Sequence, residues 1–227
     1  MRTWISVRMR LIIKAGLLFL GLTSVKPLFA HVIVQELSKK SGPGIAFFYL
    51  SAGFRHILPL GLDHILFVLS LFLLSPKLKP VLYQSAAFTA AHSVTLGLAI
   101  WKIITPSAQI IEPMIALSIL YVALENIFSP GLKTGRIGVV FLFGLVHGLG
   151  FAGSLARVGI PPNNFLLSLL MFNLGVEFGQ ATIILIAFAA VRKWKGRISY
   201  RRYFVIPLSA FIATIAAVLT IQRLIIF

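Results

Sequence analysis

The chain contains no cysteine, which excludes disulfides and thiolate metal ligands together. Acid is scarce as well: five Asp and Glu stand against 21 Lys and Arg, a formal net charge of +16. Charged residues of either sign make up only 11% of the sequence, where a soluble domain averages roughly 25%. With 59% hydrophobic residues and a mean hydropathy of +0.98, the surface of the fold must face lipid rather than water. The excess of positive charge does not point to nucleic acid, because the basic residues sit between long apolar runs and form no face of their own. There are four methionines, of which only Met114 and Met171 lie beyond the first ten residues, too few for a thioether path suited to Cu(I). No Gly-x4-Gly-Lys-Ser/Thr run is present, so the chain does not drive transport with ATP by itself.

What is there begins with a basic start (Arg2, Arg8, Arg10), a short apolar stretch and Ala30. Residues 1–30 therefore read as a signal peptide, or as an uncleaved signal anchor. Residues 31–55 form an extracytoplasmic lead-in containing Gly42-Pro43-Gly44. The remainder, 56–227, divides into apolar runs of the length a membrane span needs: about 56–75, 81–101, 109–128, 137–157, 163–191 and 203–223. Pro76, Pro80, Pro106, Pro130-Gly131 and Pro161-Pro162 punctuate them. The expected fold is an all-α membrane protein, a polytopic bundle of about six transmembrane helices after the signal peptide, seven if the signal stays attached.

Loop charge orients the bundle. One set of loops holds Lys77, Lys79, Lys133, Arg136, Arg192, Lys193, Lys195, Arg197, Arg201 and Arg202. The other holds Lys39, Lys40, Arg55, Lys102, Arg157 and Arg223. The positive-inside rule puts the richer set in the cytoplasm, with both termini outside and the bundle in the cell (inner) membrane. A faint internal echo relates Phe88-Thr-Ala-Ala-His92 to Phe143-Gly-Leu-Val-His147, each followed one helix later by a glutamate, Glu125 and Glu177. An offset of two helices would make this a parallel repeat.

The chemistry is expected where ionisable groups enter lipid. Asp63, Glu125 and Glu177 fall within the spans, as do His64, His92 and His147, with His56 at the edge of the first. No Lys or Arg is expected near the middle of a span, and a charge at the bilayer centre costs about 2.5–3.5 kcal/mol or more. Buried carboxylates without basic partners call for another cation. Neutral histidine is the commonest metal ligand, so that cation is expected to be a metal ion. His56 and Asp63 lie seven apart on nearly one helical face, with Pro59 and Gly61 between them expected to kink or unwind the stretch and free backbone carbonyls. Ser85, Thr89 and His92 line one stripe; Ser118, Tyr121 and Glu125 a second; Asn173, Glu177 and Gln180 a third. Ordered by depth, His56 comes first, then Asp63 and His64. His92, His147 and Glu177 follow near the midplane, and Glu125 with Asn126 lies toward the cytoplasm. The expectation is a ladder of ligands, as a permeation path needs.

Gly53-Phe-Arg-His56-Ile-Leu-Pro-Leu-Gly61-Leu-Asp63-His64-Ile-Leu-Phe67 resembles the first-helix signature of the HupE/UreJ family, membrane proteins associated with nickel and cobalt uptake. Phe-Thr-Ala-Ala-His92-Ser, Leu-Glu125-Asn126, Phe-Gly-Leu-Val-His147-Gly148 and Asn173-Leu-Gly-Val-Glu177 resemble its later motifs in order, across roughly residues 50–190. The resemblance is to a divergent branch. His56 stands one residue further from Asp63-His64 than in classical members, and Gly144 and Gly150 occupy positions that there tend to carry a histidine and a glutamate. It implies that His56, Asp63, His64, His92 and His147 select or carry the metal.

The expected function is thus a secondary permease for a divalent transition-metal ion, nickel or cobalt favoured and zinc compatible with the donor set. Asp63 and Glu177 are its candidate proton-exchanging groups. The metal set is His56, Asp63, His64, His92, His147 and Glu177. Glu125, Asn126, Asn173, Gln180 and Thr89 line the path or support the ligands. The expected partners are the lipid bilayer and the metal ion, with no nucleic acid and with a homo-oligomer left open. Two alternatives remain: an intramembrane metal-dependent hydrolase, whose ligands would cluster at one depth, and a metal-binding accessory protein without flux.

Overall fold

The computed structural model describes residues 42–226 apart from 76, 130, 159 and 195–199; the expected signal segment 1–30 lies outside the described residues. Among those described there are helices and turns and no strand. α1 is Gly42–Ile57, α2 Leu62–Leu74, α3 Leu78–Ile100, α4 Ala108–Phe128 and α5 Arg136–Val158. A 3₁₀ turn, Pro162–Asn164, leads into α6, Phe165–Val191, and a wide π turn, Arg201–Val205, leads into α7, Ile206–Ile226. Among the described residues four segments are long and apolar enough to cross a membrane: α4, α5, and α6 and α7 with their leading turns. α1 with α2 makes a fifth if the bent pair is one span. α3 is long enough but carries Gln84, Ser85, Thr89, His92, Ser93 and Thr95, the price of facing a polar interior.

The first helix corrects the sequence reading at its start and carries the expected interruption further on. It begins at Gly42, so 42–55, expected as a lead-in, is helical. Pro43 lacks only an N–H that a first helical turn leaves unused, and its fixed φ suits a helix start; Gly-Pro-Gly here opens a helix rather than breaking one. As Pro59 and Gly61 predict, the helix does not run on through Pro59. It stops at Ile57, and α2 leaves at 70° to α1. Gly61 makes the corner possible, because a Cβ there would overlap the carbonyl oxygen of His56.

Glycines set the closest helix contacts. Cβ atoms at Gly144 and Gly148 of α5 would overlap the carbonyl oxygens of Phe88 and His92 of α3. Those at Gly53, Gly175 and Gly179 would overlap atoms across the α1–α6 contact. Each pair thus approaches backbone to backbone through a Gly-x-x-x-Gly stretch, the small-residue mode of membrane helices. The ascending order of partners (88 with 144, 92 with 148; 50 with 175, 57 with 179) makes both pairs parallel. α4 and α7 are antiparallel. Arg223 donates to the Glu112 carbonyl at one end (3.1 Å), and Arg201 to the Ile127 and Ser129 carbonyls at the other (both 2.7 Å). Between these pairs lie two cores, one around Tyr49, Ile57, Phe172 and Val176 and one around Phe67, Leu71, Ile119 and Ala216. Exposed stripes such as Leu166, Leu170, Leu174 and Phe178 of α6 are left for lipid.

Candidate metal centre

The 70° corner decides the site. It turns His56, at the end of α1, back onto His64, at the start of α2, with ring centroids 4.6 Å apart. His92 of α3 closes the group at 6.2 Å from His56 and 6.0 Å from His64. One ring nitrogen from each of these three lies within 4.8 Å of the other two. His147 of α5 packs edge-on against His64 at 5.1 Å. The histidines therefore gather in one knot, and the ladder of depths expected from straight helices is corrected. His56 is no edge residue: its ring lies 3.6 Å from that of Phe151, and its Nε2 is buried.

Neighbouring groups fix two of the ring tautomers. Asn173 anchors its amide by donating from Nδ2 to the Leu169 carbonyl (2.8 Å), which turns Oδ1 toward His92 Nδ1 at 3.4 Å. Oδ1 can only accept, so Nδ1 carries the proton and Nε2 keeps its lone pair. Ser118 donates its one hydroxyl proton to the Ile115 carbonyl (2.7 Å), and His147 Nε2 lies 2.9 Å from the same oxygen. His147 must then donate from Nε2, leaving the lone pair on Nδ1. His92 Nε2 and His147 Nδ1 are both buried without a hydrogen-bond partner among the described residues. A hydrogen-bonded outer nitrogen with a bare inner one is how proteins orient imidazoles for metals.

A cavity of about 350 Å³ adjoins the knot, lined by His56, Asp63, His64 and His147 together with Glu112 and Arg223. It lies at the end of the bundle where α4 begins and α7 finishes. Toward the other end the knot rests on Phe88, at 5.0 Å from His147 and 5.9 Å from His64, with Phe67 beside it at 4.9 Å. Beyond these rings a second polar group spans the bundle. Arg136 donates to Gln84 Oε1 (2.9 Å), Glu125 Oε2 (2.9 Å) and Asn126 Oδ1 (3.3 Å).

The premise that the buried acids lack basic partners is corrected by these pairs. Asp63 Oδ2 lies 2.8 Å from Arg223 Nη2, and Glu125 Oε2 lies 2.9 Å from Arg136 Nη1. Both arginines sit near helix ends, Arg136 at the start of α5 and Arg223 close to the end of α7, and their long side chains reach the two carboxylates. Glu177 alone of the three has no ion pair among the described residues, and its Oε2 is buried without a hydrogen-bond partner. It is not brought into the group of converging nitrogens. Gln180 accepts from Ser85 across the α3–α6 contact, and Thr89 is buried with its hydroxyl unpartnered among the described residues. Asn126 donates to the Ser70 carbonyl at 2.7 Å and, like Glu125, belongs to the Arg136 group rather than to the knot. Tyr121, expected on the polar stripe of α4, is 50% exposed on its outer face. Arg136 and Arg223 are the site residues that sequence reading missed; their position at span ends gave the only hint.

Comparison with curated proteins and with solved structures finds no match to either. The chain does match the family model described as HupE / UreJ protein, over residues 34–223. That stretch contains every helix described above except the last residues of α7, together with the whole histidine knot, and the chain belongs to the HupE/UreJ family.

Proposed function

We infer that this chain is a secondary permease moving a divalent transition-metal ion, nickel or cobalt favoured, inward across the cell (inner) membrane. The observation that carries the reading is the convergence of His56, His64 and His92 nitrogens to within 4.8 Å beside a cavity lined by His64 and Asp63. Three imidazoles, with the Asp63 carboxylate lining the adjoining cavity, suit borderline divalent ions such as nickel, cobalt and zinc. Membership of a family associated with nickel and cobalt selects among them. Six spans, with α3 as the polar-lined one, and both termini extracytoplasmic complete the reading. Reporter fusions after Lys79 and Lys193 are expected to report the cytoplasm, and fusions after Trp101 and Phe227 the outside. A cytoplasmic C-terminus would contradict the six-span arrangement.

The test of function is nickel(II) accumulation by vesicles reconstituted with the purified protein. Wild type accumulates the ion and His92→Ala does not. Stoichiometric binding without accumulation would sink the permease reading. Binding itself should weaken as the pH is lowered from about 8 to about 5, because an imidazole must be neutral to offer its lone pair. A flat titration in detergent would mean that the histidines are not the ligands.

One observation favours a second reading. The histidines cluster at a single level, as the ligands of an intramembrane metal-dependent hydrolase would, where a bound ion generates hydroxide from water. Hydrolysis of a lipid amide or ester by metal-loaded protein, with no flux, would establish that reading instead.

A further inference from the structure

The cavity beside the histidine knot contains a fixed positive charge. Arg223 points into it from α7, with Nη2 at 2.8 Å from Asp63 Oδ2 and Nη1 at 3.1 Å from the Glu112 carbonyl. The paired side chains are only 20% and 23% exposed, so water screens them weakly. His56, His64 and His147 line the same cavity. A guanidinium does not lose its proton in a protein. Unlike the imidazoles it cannot be neutralised to accommodate a neighbouring cation, and repulsion is relieved only by moving the side chain. Among the described residues its hydrogen-bond partners are one carboxylate oxygen and one carbonyl. The second oxygen of Asp63, Oδ1, is buried without a hydrogen-bond partner among the described residues, so half of the carboxylate is not engaged by the arginine.

Resting on the metal reading of the site, we propose that Arg223 is a specificity-determining residue that competes with the incoming ion for the Asp63 carboxylate. A divalent cation that engages the imidazoles and Asp63 displaces the guanidinium, which swings out along the cavity toward the end of α7. A monovalent cation offers Asp63 no more charge than Arg223 does, without its directed hydrogen bond, and leaves the pair closed. Arg223 thereby sets the charge an ion must carry to reach the knot. Wild-type affinity is held below what the ligand set alone would give. That restraint serves release as well as selection, since a permeating ion must bind weakly enough to leave.

The experiment is nickel(II) titration of the full-length protein purified in detergent, at low and at high sodium chloride. The proteins are wild type, Arg223→Gln, Asp63→Asn and the double variant. Freeing a part-buried carboxylate from a charge-assisted hydrogen bond should raise affinity in Arg223→Gln by about tenfold or more. It should also make nickel binding more sensitive to sodium. In the Asp63→Asn background the same substitution should give little or no gain, because the interaction it relieves is gone. Equal or weaker binding by Arg223→Gln would overturn the proposal and make the arginine a device that positions Asp63. An equal gain in both backgrounds would also overturn it, since the arginine would then act only as a general repulsive field. If Arg223→Gln does not fold, Arg223→Lys replaces the planar fork with a point charge and is expected to bind nickel more tightly than wild type; equal or weaker binding overturns the proposal there. Absence of nickel binding by the wild type would overturn the reading of the site beneath it, a failure distinct from these.

Discussion

His64→Ala is expected to fold, insert and bind nickel(II) about 100-fold or more weakly than the wild type. His64 is the hub of the knot: its ring centroid lies 4.6 Å from that of His56, 6.0 Å from His92 and 5.1 Å from His147. Its Nε2 is buried with no hydrogen-bond partner among the described residues, so alanine strands no donor or acceptor. The cavity left is bounded partly by Phe88, at 5.9 Å, and adds a loss of stability that is read separately from the loss of a ligand. Removing a group that merely orients a ligand already weakens metal sites by about 10- to 100-fold, and removal of a ligand should exceed that. Asn173→Ala, which frees the His92 ring without removing it, supplies the comparison and should fall in the smaller range. Calorimetric titration of both variants beside wild type checks the order. Equal nickel affinity in His64→Ala and wild type would remove the knot from the binding site and leave its histidines as packing residues.

That His64, His92 and His147 matter was readable from the sequence because each interrupts an otherwise apolar span, where a polar ring needs a reason. Pro59 and Gly61 announced an interruption of the first span in the same way. What they could not announce was its angle. Depth along a straight helix separates His56 from His64 by eight residues of rise, whereas a 70° corner folds one ring onto the other. The arginine partners were hidden for a related reason. Arg223 and Arg136 sit near helix ends, and a sequence does not show how far a long stem reaches inward or which helix lies opposite. Once α4 and α7 are antiparallel, Arg223 is beside Glu112 and Asp63 follows. The start of α1 was missed because proline has opposite meanings at the first turn of a helix and in its interior.

Arg136→Met is expected to destabilise the protein by about 3–5 kcal/mol, the usual penalty for stranding one member of a buried ion pair. Arg136 is 3% exposed, and its guanidinium gives one hydrogen bond each to Gln84 of α3 and to Glu125 and Asn126 of α4. Asn126 passes the connection on, donating to the Ser70 carbonyl of α2 (2.7 Å) and to Ser209 Oγ of α7 (3.3 Å). One side chain at the start of α5 thus ties four other helices together at the basic end of the bundle, below the aromatic floor of the histidine knot. Without it, Glu125, whose side chain is 13% exposed, loses its ion-pair partner at a site poor in water, and Gln84 loses its partner as well. The pair need not be net stabilising to produce that loss. Desolvating two ions can offset their attraction, so replacing both by apolar residues of similar volume is often neutral or better. Arg136→Met with Glu125→Met should accordingly recover much of what Arg136→Met alone loses, read as the midpoint of unfolding in mixed detergent at fixed lipid content. A double variant no more stable than the single one would mean that Arg136 holds the helices through Gln84 and Asn126 rather than through charge. Recovery of stability together with loss of nickel flux would instead make the pair a functional closure at the basic end of the bundle, kept for passage of the ion rather than for the fold.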